Sequence, residues 1–185
     1  IFTVQASTAE PYVVWPERVS RAYGAGPLCP VYKFTGTSFV PNATAGCTSY
    51  AVGGGRINNL ADAGGTNAPL SIQRQLQDAG NAGWKAGDLL VADGGGNDAA
   101  TLVTAYLTAA SDQGAAYQAL LLTLLPAATV QSVLPTSGGA EAAGGLYMKA
   151  LADAFAASIR THALNKGAQH VVVANMPPIT YTPRF

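Results

Sequence analysis

Three runs along the chain are apolar without polar alternation: Ser49-Tyr50-Ala51-Val52, Asp88-Leu89-Leu90-Val91-Ala92-Asp93 and His170-Val171-Val172-Val173-Ala174-Asn175. Continuous runs of this length predict strands covered on both faces, as in a parallel sheet. Each is followed by residues that turn the chain: Gly53-Gly54-Gly55, Gly94-Gly95-Gly96 and Pro177-Pro178. Between the runs the apolar period becomes helical. Trp15 to Tyr23 predicts a short helix with Pro16 in its first turn, where a missing N–H is tolerated. Ser71 to Ala82 places Ile72 and Leu76 one turn apart, with Gly80 and Gly83 near the end. Ala99 to Ala110 carries Leu102, Val103, Tyr106 and Leu107, and Tyr117 to Leu125 continues helically until Pro126. The longest helix is expected from about Ala142 to Asn165, where Leu151, Phe155 and Ile159 recur every four residues and Gly167 can end it. Ser132 to Gly139 reads as a loop. Strand, helix, strand, helix, strand predicts one α/β domain across residues 1–185, with right-handed crossovers and helices on both faces of the sheet. Ligands of such sheets sit beyond the C-terminal strand ends, which here are the Gly53–Arg56 and Gly94–Asp98 loops.

Composition narrows the function. Hydrophobic residues make up 49% and charged residues 11%, and ten Lys+Arg balance ten Asp+Glu. A nucleic-acid partner would call for a surplus of cations to displace counterions from phosphate, so none is expected. A disordered chain would be less apolar and more highly charged. The longest apolar run, Ala119 to Val130, is interrupted by Pro126 and falls short of a membrane span. No group of His, Asp and Glu has metal-ligand spacing, so neither metal nor cofactor is expected.

Cys29 and Cys47 enclose a loop-like stretch containing Pro30, Gly36, Pro41, Asn42 and Gly46. They form no C-x-x-C and have no nearby His, which argues against zinc. Two readings remain: free buried thiols, or one disulfide closing a surface loop. The disulfide is preferred, because a long loop of low apolar content has few other means of staying ordered. It would contribute about 3 kcal/mol in the chain-entropy model, and it implies an exported protein. The start at Ile1-Phe2-Thr3, with no initiator Met and no signal peptide, reads as a cut end.

The glycine clusters admit three readings. The plainest is tight turning and close packing of helix on sheet. Gly94-Gly95-Gly96-Asn97-Asp98-Ala99 also fits a dinucleotide fingerprint formally, with Asp112 at a suitable distance. That fingerprint requires a second strand ending near the acidic residue, where Ala100–Ala110 reads as helix. The third reading is an oxyanion hole, in which a glycine N–H and an Asn amide converge on a carbonyl oxygen that becomes negative in acyl transfer. Gly54 and Asn97 are that pair.

Here the chain resembles a known family. Tyr50-Ala51-Val52-Gly53-Gly54-Gly55-Arg56-Ile57 is similar to the second signature block of the SGNH, or GDSL, hydrolases. Gly95-Gly96-Asn97-Asp98 is similar to their third, G-x-N-D. Asn175-Met176-Pro177-Pro178-Ile179, ending Thr182-Pro183-Arg184-Phe185, resembles the strand and proline segment after the family's long helix. Trp15-Pro16-Glu17-Arg18-Val19 resembles the short helix after its first block. The likeness is nearest to bacterial exported esterases, including autotransporter passengers. It implies a three-layer α/β/α, flavodoxin-like fold with a mainly parallel sheet, seen as its central portion and incomplete at both ends. It implies a serine ester hydrolase, an esterase or lipase acting on a small-molecule, lipid or carbohydrate ester. Gly54 and Asn97 would be the oxyanion donors, and Gly53, Gly55, Arg56, Gly95, Gly96 and Asp98 would form the substrate loops. Asp98 is expected to anchor its loop or cap the following helix rather than react. The family's G-D-S block and D-x-x-H block are absent here, so nucleophile and catalytic His lie outside the chain. His162 and His170 are the only histidines, and neither falls where a general base is needed. The alternative is a non-catalytic binding or structural domain that has lost the triad.

Overall fold

A computed structural model describes residues 14–176. The start at Ile1 and the proline segment from Pro177 onward lie outside the described residues. The structure is mixed α/β and rich in helix. Helix α1 spans Trp15–Ala22, and the Glu17 carboxylate accepts from the Val14 N–H at 3.0 Å, which satisfies a donor at its N-terminus.

Cys29 and Cys47 are bonded, with Cα atoms 4.9 Å apart, so the free-thiol reading is set aside. Inside the loop they close, β1 (Tyr32–Phe34) and β2 (Phe39–Pro41) pair antiparallel, with Phe34 opposite Phe39. Sequence reading took this stretch as plain loop. Strands of three residues are too short to display alternation, and the crosslink supplies the closure that apolar burial does not.

The run Ser49–Val52 is not a strand. Ser49 makes one parallel bridge to Pro30, and the chain turns at once, with the Gly55 N–H donating to the Val52 carbonyl at 3.1 Å. The stretch is as long as β3 (Leu89–Ala92), but among the described residues its one bridge, to Pro30, is all the ladder it forms, so it lacks a neighbouring strand rather than length. Helix α2 (Ile72–Ala82) follows, capped by Ser71, whose Oγ accepts from the Arg74 N–H at 3.3 Å.

Strands β3 and β4 (His170–Val173) pair in parallel, in register from Leu89 opposite His170 to Ala92 opposite Val173. The Ala174 N–H adds a rung to the Ala92 carbonyl at 2.8 Å. One face of this pair, through Leu90, Ala92 and Val171, packs on Ile72 and Leu76 of α2 and on Phe155 and Ile159 of the long helix α7 (Gly139–His162). Helices were expected on both faces. Among the described residues this core packs α2 and α7 on one face, and Val172 and Val173, which point to opposite faces, both stay about half exposed.

Between β3 and β4 the chain is helical: α3 (Gly96–Leu107), α4 (Ala109–Asp112), α5 (Ala115–Leu121), α6 (Ala127–Val133) and α7. Part of the loop predicted at Ser132–Gly139 is the end of α6. Pro126, read as a helix stop, is the N-cap of that next helix. Leu102, Tyr117, Leu121, Val130 and Tyr147 form a second apolar core among α3, α5, α6 and α7. Helix α7 starts at Gly139, ahead of the expected Ala142, because a glycine there lets the chain lie against the preceding turn. A Cβ on Gly139 would fall 2.1 Å from the Val133 carbonyl oxygen. Among the described residues, no helix is long and apolar enough to cross a membrane.

Candidate functional site

Two loops meet at the C-terminal end of β3. The first leaves β3 at Ala92 and turns through Gly94 and Gly95 into α3. Gly94 lies tight against its neighbours: a Cβ there would sit 2.8 Å from Ile72 Cδ1 and 3.2 Å from Ile57. Gly95 has φ +99°, a left-handed conformation that suits glycine, and it serves as N-cap of α3. The first turn of α3 then presents Gly96, Asn97 and Asp98.

The second loop runs through Gly53, Gly54 and Gly55 to Arg56. Gly54 is also left-handed, at φ +81°. Arg56 is held by its backbone alongside the start of α2. Its N–H donates to the Leu70 carbonyl, and its carbonyl accepts from the Ile72 N–H, both at 2.9 Å.

The two loops are joined by the side chains that open α3. Asp98 is 2% exposed, and its carboxylate accepts from two successive backbone N–H groups, Asn58 at 2.8 Å and Ile57 at 3.1 Å. Charge-assisted bonds of this kind are the stronger sort, and the positive end of the helix dipole favours a carboxylate in the first turn. The Asn97 amide nitrogen donates to the Gly55 carbonyl at 3.0 Å. That nitrogen carries two hydrogens and the carbonyl takes one. The Asn97 carbonyl accepts from Thr101 Oγ1 at 3.0 Å, one turn along α3.

Beneath this junction the Asn58 amide donates to Thr123 Oγ1 at 2.7 Å and to the Tyr147 hydroxyl at 3.0 Å. Tyr147 is buried on α7, and burial, followed by the Asp98 charge, raises its hydroxyl pKa. A cleft of about 160 Å³ opens here, lined among others by Arg56, Asn58, Asp62, Thr101 and Tyr147. It is smaller than the ~300–1,000 Å³ of common ligand pockets.

Of the site residues read from sequence, Gly53, Gly54, Gly55, Arg56, Gly95, Gly96, Asn97 and Asp98 fall within these two loops. Asp98 anchors the partner loop, the first of its two expected roles. The N-cap position belongs to Gly95. His162 closes α7, and His170 opens β4 at the strand end opposite the junction. Among the described residues, no three His, Cys, Asp or Glu side chains gather as a metal would require. The dinucleotide fingerprint loses its acidic partner. Asp112 ends α4, and its carboxylate accepts from the Gly114 and Ala116 N–H groups at 2.9 and 3.0 Å.

Asn58 and Tyr147 were not read from sequence. Tyr147 had a signal, because it extends the Leu151, Phe155, Ile159 stripe back by one turn. Asn58 had none, since its partners are remote in the chain. Compared with protein-family models, with curated proteins and with solved structures, the chain matches none.

Proposed function

We propose that this chain carries the oxyanion-stabilising part of a serine ester hydrolase of the SGNH type, on a flavodoxin-like α/β/α fold, in an exported protein. The observation that carries the reading is the junction itself. The Asn97 amide rests on the Gly55 carbonyl beside Gly54, while Asp98 clamps the same loop through Ile57 and Asn58. An oxyanion hole needs donors fixed before the reaction, since a donor that must reorganise in the transition state loses its advantage. In the proposed site the Gly54 N–H and the second hydrogen of the Asn97 amide face the developing oxyanion. The Asp98 clamp holds both loops while charge builds. A serine attacks the ester carbonyl, a histidine takes its proton and an aspartate orients the histidine. These three groups belong to flanking chain in this reading, with the serine in a G-D-S block upstream and the other two in a D-x-x-H block downstream. The Cys29–Cys47 bond supports the exported assignment, because such bonds persist in oxidising compartments.

The coding sequence on both sides of these residues, and a short-chain aryl-ester assay of the longer protein, test the proposal. Both flanking blocks, ester hydrolysis and covalent labelling of the serine by a fluorophosphonate are expected. The 185-residue chain alone is expected to be inactive. Flanks without either block, or a longer protein that neither hydrolyses esters nor takes the label, would overturn the reading in favour of a binding or structural domain.

A further inference from the structure

The loop closed by Cys29 and Cys47 displays apolar side chains at its surface. Phe34 is 60% exposed and Val40 39% exposed. Phe34 packs on Phe39 with ring centroids 5.0 Å apart and the rings tilted by 46°. The root of this hairpin is fixed: the Tyr32 hydroxyl donates to Asp78 on α2, and Arg74 Nε holds the same carboxylate at 2.8 Å. The far end is a turn from Thr35 to Ser38 closed by hydrogen bonds between its two end residues. The Thr35 N–H and Oγ1 both donate to the Ser38 carbonyl, at 2.8 and 3.0 Å.

In sequence, the stretch that contains this element is one-sided in charge; in the fold, the Asp78 carboxylate at its root is paired with Arg74. Between Glu17 and Asp62 the chain carries Arg18, Arg21, Lys33 and Arg56 and no carboxylate, although its net charge is zero. Between the two cysteines Lys33 is the only charge, and it pairs in register with Val40 beside Phe34. An element with exposed aromatic and aliphatic side chains, an internally bonded turn and one flanking cation matches a lipid interface. Apolar groups gain at the acyl boundary, each hydrogen bond closed within the turn lowers the desolvation cost, and a lysine is attracted to anionic headgroups.

We propose that this disulfide-closed hairpin docks the protein on an anionic lipid surface. The turn enters first, Phe34 and Val40 sit at the boundary between headgroups and acyl chains, and Lys33 sits among the lipid phosphates. The inference is independent of the ester-hydrolase reading. The crosslink holds both strands in the docking shape beforehand, which lowers the ordering cost of binding.

Co-sedimentation of the oxidised chain with phosphatidylcholine vesicles containing roughly a third phosphatidylglycerol tests it. Binding is expected to exceed that to phosphatidylcholine alone and to fall as salt is raised. Lys33→Gln should weaken it about fivefold, and Phe34→Ser about tenfold. Both side chains are exposed, so circular dichroism of both variants should match the parent. Failure to bind the anionic vesicles would overturn the proposal, as would equal binding by both folded variants. A concentration-dependent dimer that Phe34→Ser dissolves, without vesicle binding, would make the hairpin an interface between copies and would overturn it too.

Discussion

The helical half of the molecule and the disulfide-closed hairpin are held by opposite means. Among α3, α5, α6 and α7, Leu121 and Val130 are wholly buried, and Ala143, Tyr147 and Leu151 nearly so. Between Cys29 and Cys47 no residue is buried. The first region draws its order from removal of apolar surface from water. The second draws it from one covalent bond and the Tyr32–Asp78–Arg74 contact with α2. The junction between Gly55 and Asn97 lies between these regimes, because its polar side chains work from a packed base. Asp98 and Tyr147 beneath it are buried, while Asn97 above them is exposed.

The comparison breaks most readily at Leu121. Leu121→Ala should cost about 4 kcal/mol, from lost burial and an unfilled cavity, read as a lower urea midpoint. A loss below about 1 kcal/mol would mean that the helical half is not held by this core. Reduction of Cys29–Cys47 should have a smaller global effect, at most about 3 kcal/mol in the chain-entropy model. Its sharper signature is local: amides of β1 and β2 should lose protection from exchange while those of α5 and α7 keep theirs. Equal loss in both regions would show that the hairpin supports the core.

Tyr32→Phe removes the hydroxyl bond to Asp78 and should cost about 1 kcal/mol, expressed as faster exchange in the hairpin alone. The Tyr32 hydroxyl is itself hard to ionise, because burial and then the Asp78 carboxylate raise its pKa well above the ordinary value. The smallest effect belongs to the surface of the helical half. The Tyr106 hydroxyl donates to Glu141 at 2.6 Å and lowers its carboxyl pKa. A lowered folded pKa means that the bond's contribution is present above the unfolded value and is lost as pH falls through the folded one. NMR titration of Tyr106→Phe should show Glu141 returning upward, with little change in stability since both groups are exposed.

Much of the framework was legible because it repeats. The stripe Leu151, Phe155, Ile159 placed α7, Ile72 and Leu76 placed α2, and two uninterrupted valine- and leucine-rich runs placed β3 and β4. What failed was short or depended on distant partners. Ser49–Val52 has strand composition but only a single bridge for a neighbour. The hairpin strands are shorter than one period of evidence, and Pro126 marks a helix start as readily as a stop. At the proposed site, the two glycine clusters mark the loops that Asn97 and Asp98 join. The Asp98 clamp on Ile57 and Asn58 joins residues far apart in sequence, so no local pattern carries it.

The central claim is that Asn97 is a fixed donor to an oxyanion, and Asn97→Ala in the ester-hydrolysing protein of the proposed reading tests it most directly. Loss of one preorganised donor should lower kcat by about a hundredfold or more. KM should move little, because that donor acts mainly on the transition state. The unfolding midpoint should change only slightly, since Asn97 is exposed and Asp98 still clamps the loop. A variant that keeps its kcat, or loses activity only in proportion to a loss of folded protein, would contradict the account.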